Sequence, residues 1–280
     1  MSTNPRIYLD FNATAPLGAR VRAAMVQAMA DPGNPSSIHA EGRRARDHIE
    51  RARDQVARLV GRPREQVVFT SGGTEGNALG VLGLAASVER RGGSRVVAAA
   101  AIDHPSLRGA VDALVARGWQ LRPIGVTAAG ALEVDSFEGV GLVAIAAVNH
   151  ELGTRADPGI FVAARAAGAL VHVDAVQAAG KIPLGEIDGD ALVISGHKLG
   201  GPQGVGAVAI NQDDGLPLVE AGHQERGRRP GTENTLGIVG FGAAAADAEV
   251  ASWPQVAALG ERLEAGLGAI AGIRIHGAGT

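Results

Sequence analysis

Two short apolar runs constrain this chain more than any other feature. Ala169–Val173 closes on Asp174, and Ala191–Ile194 leads through Ser195, Gly196 and His197 to Lys198. Four or five apolar residues without polar alternation suit a strand covered on both faces, so each run reads as a buried parallel strand carrying polar chemistry at its C-terminal end. Open α/β sheets bind their ligands at that end. A carboxylate and an amine on neighbouring strand ends are what pyridoxal phosphate requires, the lysine as Schiff base and the acid opposite the pyridinium nitrogen. Taken singly, an Asp after a strand is often a helix cap and a Lys solvated surface. His172, Gln177, Ser195 and His197 add more polar groups around the same two ends than capping uses.

The rest of the chain alternates strand and helix, the pattern of a mostly parallel sheet with helices on both faces. Strands are predicted at Gln66–Phe69, Arg95–Ala100, Leu142–Val148 and Gly206–Ile210 besides the two above. Between Ala40 and Val60 the residues Ala45, Ile49, Ala52, Val56 and Leu59 recur at helical spacing and Gly61 follows as a C-cap. Further helices are predicted at Glu75–Arg91, Pro105–Arg117, Gly159–Ala167, Thr235–Ala251 and Pro254–Ala271. Thr70-Ser71-Gly72-Gly73-Thr74-Glu75 joins a strand to a helix, and glycines there let backbone N–H groups approach an anion at the helix N-terminus. That makes a candidate phosphate cradle, with an ordinary strand-to-helix turn as the alternative.

Composition removes several classes. Net charge is −3, pI about 6.2 and aromatic content 3%, with no Lys/Arg run, so no nucleic-acid partner is expected. No apolar stretch approaches the roughly 20 residues that span a membrane, and Met1–Asp10 lacks the regions of a signal peptide; a soluble cytoplasmic protein is expected. There is no cysteine and no HExxH, so neither disulfides nor a metal site are expected.

A family resemblance covers essentially the whole length. The ordered segments Tyr8–Pro16, Asn34–His39, Phe69–Glu75, Asp103–Pro105, Val148–Thr154, His172–Lys181, Ser195–Lys198 and Gln224–Asn234 resemble the NifS/IscS-type cysteine desulfurases, class V pyridoxal-phosphate enzymes of fold type I. The resemblance implies a large α/β cofactor domain over about 17–259, a mostly parallel sheet sandwiched by helices. Residues 1–16 and 260–280 would belong to an incomplete small C-terminal domain whose first strand is Ile273–Gly277. It implies that Lys198 carries the cofactor and moves the Cα proton, that Asp174 faces the pyridine nitrogen, and that Gln177 bonds the ring oxygen. His104 would stack on the ring and assist proton transfer; Gly73, Thr74, Ser195 and His197 would hold the phosphate, and Asn149 would lie near cofactor and substrate. Thr232 would reach the phosphate of a partner subunit, so a homodimer is implied. Gly73 and Gly196 stand where Ala is usual, His150 where Asn is usual, and Pro230 where Ser is usual.

The family reaction converts L-cysteine to L-alanine through an enzyme thiolate that takes the sulfur for iron–sulfur clusters or other thio-cofactors, with a scaffold or sulfur-acceptor protein as partner. These 280 residues contain no cysteine to carry it. The chain therefore reads as C-terminally truncated relative to the family. Two alternatives stand beside a desulfurase: a lyase or aminotransferase of the same fold needing no thiol, and a non-catalytic paralogue.

Overall fold

The computed structural model describes residues 6–211, 213–214, 217–248 and 253–277. In chain order the elements are α1 (Ala19–Ala28), α2 (Ala40–Val60), β1 (Val67–Thr70), α3 (Gly73–Arg90), β2 (Val96–Ala100), α4 (Pro105–Val115), β3 (Gln120–Val126) and β4 (Leu132–Glu133). There follow β5 (Leu142–Ala146), α5 (Pro158–Ala166), β6 (Leu170–Asp174), β7 (Ala191–Ser195), β8 (Gly206–Ile210), α6 (Thr235–Asp247) and α7 (Trp253–Gly268). The eight strands form one sheet in the order β1-β8-β7-β6-β5-β2-β3-β4. Pairing is parallel from β7 through β6, β5 and β2 to β3, and antiparallel where β8 joins β7 and β1 and where β4 joins β3.

Each central strand feeds two cores by simple alternation. In β7, Leu192 and Ile194 face a core shared with Ile49 and Val56 of α2, Phe161 of α5 and Phe241 of α6. Ala191 and Val193 face the opposite core, built with Leu79 and Leu84 of α3 and Leu107 and Leu114 of α4. Burial on both faces explains why these strands read as unbroken apolar runs. The helices start where local chemistry stops the strands: His39, His104, Asp157 and Asn234 cap α2, α4, α5 and α6 with their side chains, and Pro105 and Pro158 stand in the first turns of α4 and α5. The α2 C-cap is Gly61 at φ +63°, as its position after the apolar pattern predicts.

The structure differs from the sequence reading at both ends and at one sheet edge. Strands β3 and β4 are not expected from the sequence; β4 is the two-residue edge, and β3 beside it, QLRPIGV, has exposed positions and a proline that hide its pattern. Helix α1 was also unexpected, being short, and buries little beyond Val21 and Ala28 against α6. The strand expected at Ile273–Gly277 is absent: the segment is coil and bend, with no neighbouring strand among the described residues to take its ladder hydrogen bonds. Helix α6 ends at Asp247, with Ala248 already extended where the helix is expected to run on; the rest of the expected extension, 249–251, falls outside the described residues. α7 buries no residue, leaving Leu259 and Leu263 exposed. Among the described residues no helix is long and apolar enough to cross a membrane.

α3 lies closer to the sheet than any residue with a β-carbon at two of its positions would allow. A Cβ on Gly76 would stand 2.7 Å from Val193 Cγ1, and one on Gly80 would stand 2.4 Å from His172 Nδ1. This close approach brings the start of α3 level with the ends of β6 and β7. Gly80→Ala is expected to destabilise the fold by about 1–3 kcal/mol through forced repacking; an unchanged denaturation midpoint would show that α3 can lift without cost.

Candidate active site

β6 and β7 are parallel neighbours, and their C-terminal ends open on a cleft of about 460 Å³. Asp174 ends β6 and Ser195 ends β7; a single 3-10 turn, Gly196–Lys198, then presents His197 and Lys198. The first turn of α3 brings Gly73 and Thr74, the cap of α4 brings His104, and the turn after β6 brings Gln177 to the same cleft. Two predicted residues lie elsewhere. Asn149 is buried beside the cleft but does not line it: its amide donates to Ile102 O at 2.8 Å and accepts from the N–H groups of Glu151 and Leu152. It shapes the loop that carries His150. Thr232 is exposed and outside the cleft of its own chain.

α3 starts at N-cap Gly72, at φ 155° and ψ −175°, a conformation open to glycine, and no side chain caps the helix there. The first-turn amides of Gly73 and Thr74 therefore stand at the cleft beside the hydroxyls of Thr74 and Ser195, while the first-turn carboxylate of Glu75 lies outside the lining, on Ser71 N–H and Arg229. The glycines at 73 and 196 have local causes. A Cβ at Gly73 would lie 2.9 Å from Val176 Cγ2, and one at Gly196 would lie 3.0 Å from Val205 Cγ1.

Behind the cleft runs a polar chain the sequence reading did not find. Asn77 donates to Asp174 Oδ2 at 2.8 Å and to Ser106 Oγ at 2.9 Å, and its Oδ1 faces His172 Nε2 at 3.0 Å. The backbone N–H of Val176 donates to the other carboxylate oxygen of Asp174 at 2.9 Å. Ser106 lies 2.7 Å from His104 Nδ1 through its hydroxyl and also donates its backbone N–H to that nitrogen. His104 Nδ1 is thus an acceptor, and the ring proton sits on Nε2. Burial, then His150 whose ring stands edge-on at 4.9 Å, pushes His104 below the ordinary histidine range. His104 is cap and cleft residue at once. His172, grouped with the strand-end residues on sequence, does not reach the cleft: it points to the α3 side and is fully buried. Asn77 had one legible signal, a lone amide inside an otherwise small and apolar helix, where Asn is disfavoured unless it has partners.

The opposite wall comes from the N-terminal segment. Lys198 Nζ donates to the carbonyls of Asn12 and Ala13 at 2.6 and 2.9 Å, and Gln177 Nε2 donates to Asn12 O at 3.0 Å. His197 faces Thr14 Oγ1 at 3.0 Å and accepts Ala15 N–H at its carbonyl. Burial lowers the Lys198 amine below its usual range, with Asp10 and Asp174 pulling the other way. An amine of reduced basicity, a carboxylate and an uncapped helix N-terminus around one cleft can hold a phosphorylated aromatic aldehyde and handle a proton beside it.

Comparison with known proteins agrees with this geometry. The aminotransferase class-V family model matches residues 7–279. The chain belongs to the aminotransferase class-V family. Within it the chain is 44% identical over 260 residues to a cysteine desulfurase of Frankia sp. (strain EuIK1), covering 85% of this chain and 61% of that one. It is 39% identical over 274 residues to a cysteine desulfurase of Enterobacter agglomerans, covering 93% and 68%. Among solved structures, a NifS-like protein superposes with TM-score 0.86 at 33% identity, covering 94% of this chain and 74% of the other. DndA from Streptomyces lividans gives TM-score 0.80 at 35% identity, covering 95% and 79%. The chain thus spans about three fifths to two thirds of the length of these curated relatives. Class-V aminotransferases and cysteine desulfurases are pyridoxal-phosphate enzymes.

The buried histidine gives a pH signature. Burial pushes His172 down to about 3 from 6.5. Between those values the unfolded chain binds a proton that the folded chain refuses, so the stability contributed by neutral His172 is whole above pH 6.5 and is lost as pH falls towards 3. Asp103 acts oppositely: burial, with Asp174 adding, raises it from 3.8 to about 7, so its contribution falls as pH rises through that interval. The histidine is therefore read as the difference between wild type and His172→Gln, whose amide still donates to Asn77. Between pH 7.5 and 5 wild type should lose ~2 kcal/mol relative to the variant; parallel stability curves would refute this.

Proposed function

We propose that this chain binds pyridoxal 5′-phosphate in the cleft between Asp174 and Lys198 and acts there on L-cysteine or a similar α-amino acid, as a cytoplasmic homodimer with desulfurase chemistry. The observation that carries the reading is the facing of Asp174 and Lys198 across one cleft at the end of two parallel strands. The donor set fits the cofactor. The uncapped α3 N-terminus with Thr74, Ser195 and His197 suits the phosphate dianion, and Asp174, already given one hydrogen bond on each oxygen, keeps lone pairs free for a protonated ring nitrogen. Gln177 offers an N–H to the ring oxygen, and His104 offers a ring face.

When bound, the cofactor supplies an electron sink for negative charge at the substrate Cα. Lys198 removes and returns the Cα proton; its lowered basicity brings it nearer to the operating pH, which favours general-base work. His104 holds its proton at Nε2 and serves as donor rather than acceptor in the resting cleft. Protonation at Nδ1 would oppose the Ser106 N–H that points at it. The exposure of Thr232 supports its working in the cleft of a second copy.

These 280 residues hold no thiol and span only about three fifths to two thirds of the length of the curated relatives, so the thiolate that takes the sulfur lies outside them. That thiolate forms an S–S bond to the substrate sulfur as the Cβ–S bond breaks; the electron pair stays on carbon, and a proton completes alanine. A second reading, elimination to a keto acid, uses the same Asp174 and Lys198 groups and needs no thiol.

The test is purified chain given pyridoxal phosphate, L-cysteine and dithiothreitol. A visible cofactor band that Lys198→Ala abolishes, and thiol-dependent alanine formation that the same variant lowers by about 10²–10⁴-fold, are expected. Keto acid formed equally without thiol selects elimination. Bound cofactor without turnover of any amino acid selects a non-catalytic paralogue, and a band that survives Lys198→Ala refutes the site.

A further inference from the structure

Of the 26 Lys and Arg residues in this chain only two are lysines, Lys181 and Lys198. Arginine serves every other cationic position, and the two side chains are not interchangeable: an ammonium is a compact point charge with three donors, a guanidinium a planar fork. Both lysines converge on Asn12. Lys198 Nζ donates to its carbonyl, and Lys181 Nζ donates to its Oδ1 at 2.7 Å. Lys181 also donates to Gln177 Oε1 at 2.6 Å, and its ammonium stands 6.0 Å from the ring centroid of Trp253. Trp253 is itself tied down by its indole N–H on Gly180 O at 2.7 Å.

An ammonium has donors and no acceptor, so whatever faces it must present oxygen. That fixes both amides. With Oε1 of Gln177 turned to Lys181, its NH2 group is turned away, towards Asn12 O and the cleft. We propose that Lys181 is a positioning residue for the cofactor cleft: its ammonium sets which end of the Gln177 amide meets the cofactor's ring oxygen, and clasps Asn12 so that the 10–15 segment stays over Lys198. Without it the amide is free to turn and offer its oxygen, a repulsive partner for a ring oxyanion. Burial, and then the charge of Lys198, pull Lys181 down to about 8, which leaves it mainly protonated at neutral pH. Lys181 does not line the cleft and acts through Gln177 and Asn12.

The inference rests on reading the cleft as the pyridoxal phosphate site, and two readouts separate the two ideas. In the chain without cofactor, Lys181→Met should speed hydrogen exchange at Ala13, Thr14 and Ala15, whose amides bond Asp10 O and His197 O. That result is independent of any cofactor. In equilibrium titrations with pyridoxal phosphate, Lys181→Met should weaken binding about tenfold, the scale of one charge-assisted hydrogen bond. In a Gln177→Ala background the same substitution should cost clearly less than in wild type, because only the Asn12 clasp is left to lose, whereas a merely structural lysine would give fully additive losses. If Lys181→Met does not fold, Asn12→Ala removes the ammonium's other acceptor and should reproduce the faster exchange with Gln177 still oriented. Unchanged exchange, wild-type affinity in Lys181→Met or additivity in the double variant overturns the proposal. Absence of any Lys198-dependent band overturns the cofactor reading, with the exchange result standing apart from it.

Discussion

The side-chain amide of Asn77 holds the back of the site together. It has two N–H groups and one acceptor oxygen, and all three functions are used: on Asp174, on Ser106 and on His172. A buried polar chain of this kind is stable only when its members are satisfied, and then it fixes geometry more sharply than apolar packing can. Through Asn77 the position of α3 sets the carboxylate of β6, and through Ser106 it also sets the tautomer of His104 at the start of α4. Three elements are thereby placed relative to one another by one residue. The glycines on the same face of α3 are the precondition, because with side chains at 76 and 80 the helix would stand too far from β6 for the amide to reach.

The front of the cleft is organised by the opposite means. Backbone carbonyls of Asn12 and Ala13, on a segment with no regular structure, accept from Lys198 and Gln177, and the same segment bonds His197 and Thr14 together. Rigid strand ends carry the groups that must hold fixed positions, and a segment crossing more than 160 residues of sequence separation closes over them. Such a segment can yield its carbonyls when Lys198 is engaged elsewhere, because water can replace a hydrogen bond at an exposed carbonyl at small cost.

What was readable in the sequence follows from which residues advertise their role locally. The buried strands, the Gly72-Gly73 turn and the pair Asp174 and Lys198 declare themselves through unbroken apolar runs followed by polar residues, and the structure brings these groups to one cleft. His172 belongs to the same alternation that buries Val171 and Val173, and nothing local tells which polar residue of a strand meets the cleft and which meets a helix. Asn77 acts through partners 29 to 97 positions away, and Lys181 joins Gln177, four residues back, to Asn12, 169 residues away; no local window shows either arrangement whole. Strand β3, next to the sheet edge, is hidden for another reason: its mixed exposure and its proline erase the period-two signal that a half-buried strand shows.

The cofactor-type cleft is densely tied by groups none of which is a thiol, and the two tasks of the proposed reaction ask different things of the scaffold. Stabilising charge at a Cα demands groups preorganised to within fractions of an ångström, which strand ends and a helix N-terminus supply. Accepting a sulfur atom demands a thiolate that approaches, takes it and departs, which favours a nucleophile free of the scaffold. The first task is built into residues 10–198 by contacts that involve no thiol. The second can be met by any thiolate able to reach the cleft mouth, where His150 and Glu151 form part of the lining. Access at that mouth, rather than the arrangement of the cleft floor, then decides which thiols could serve.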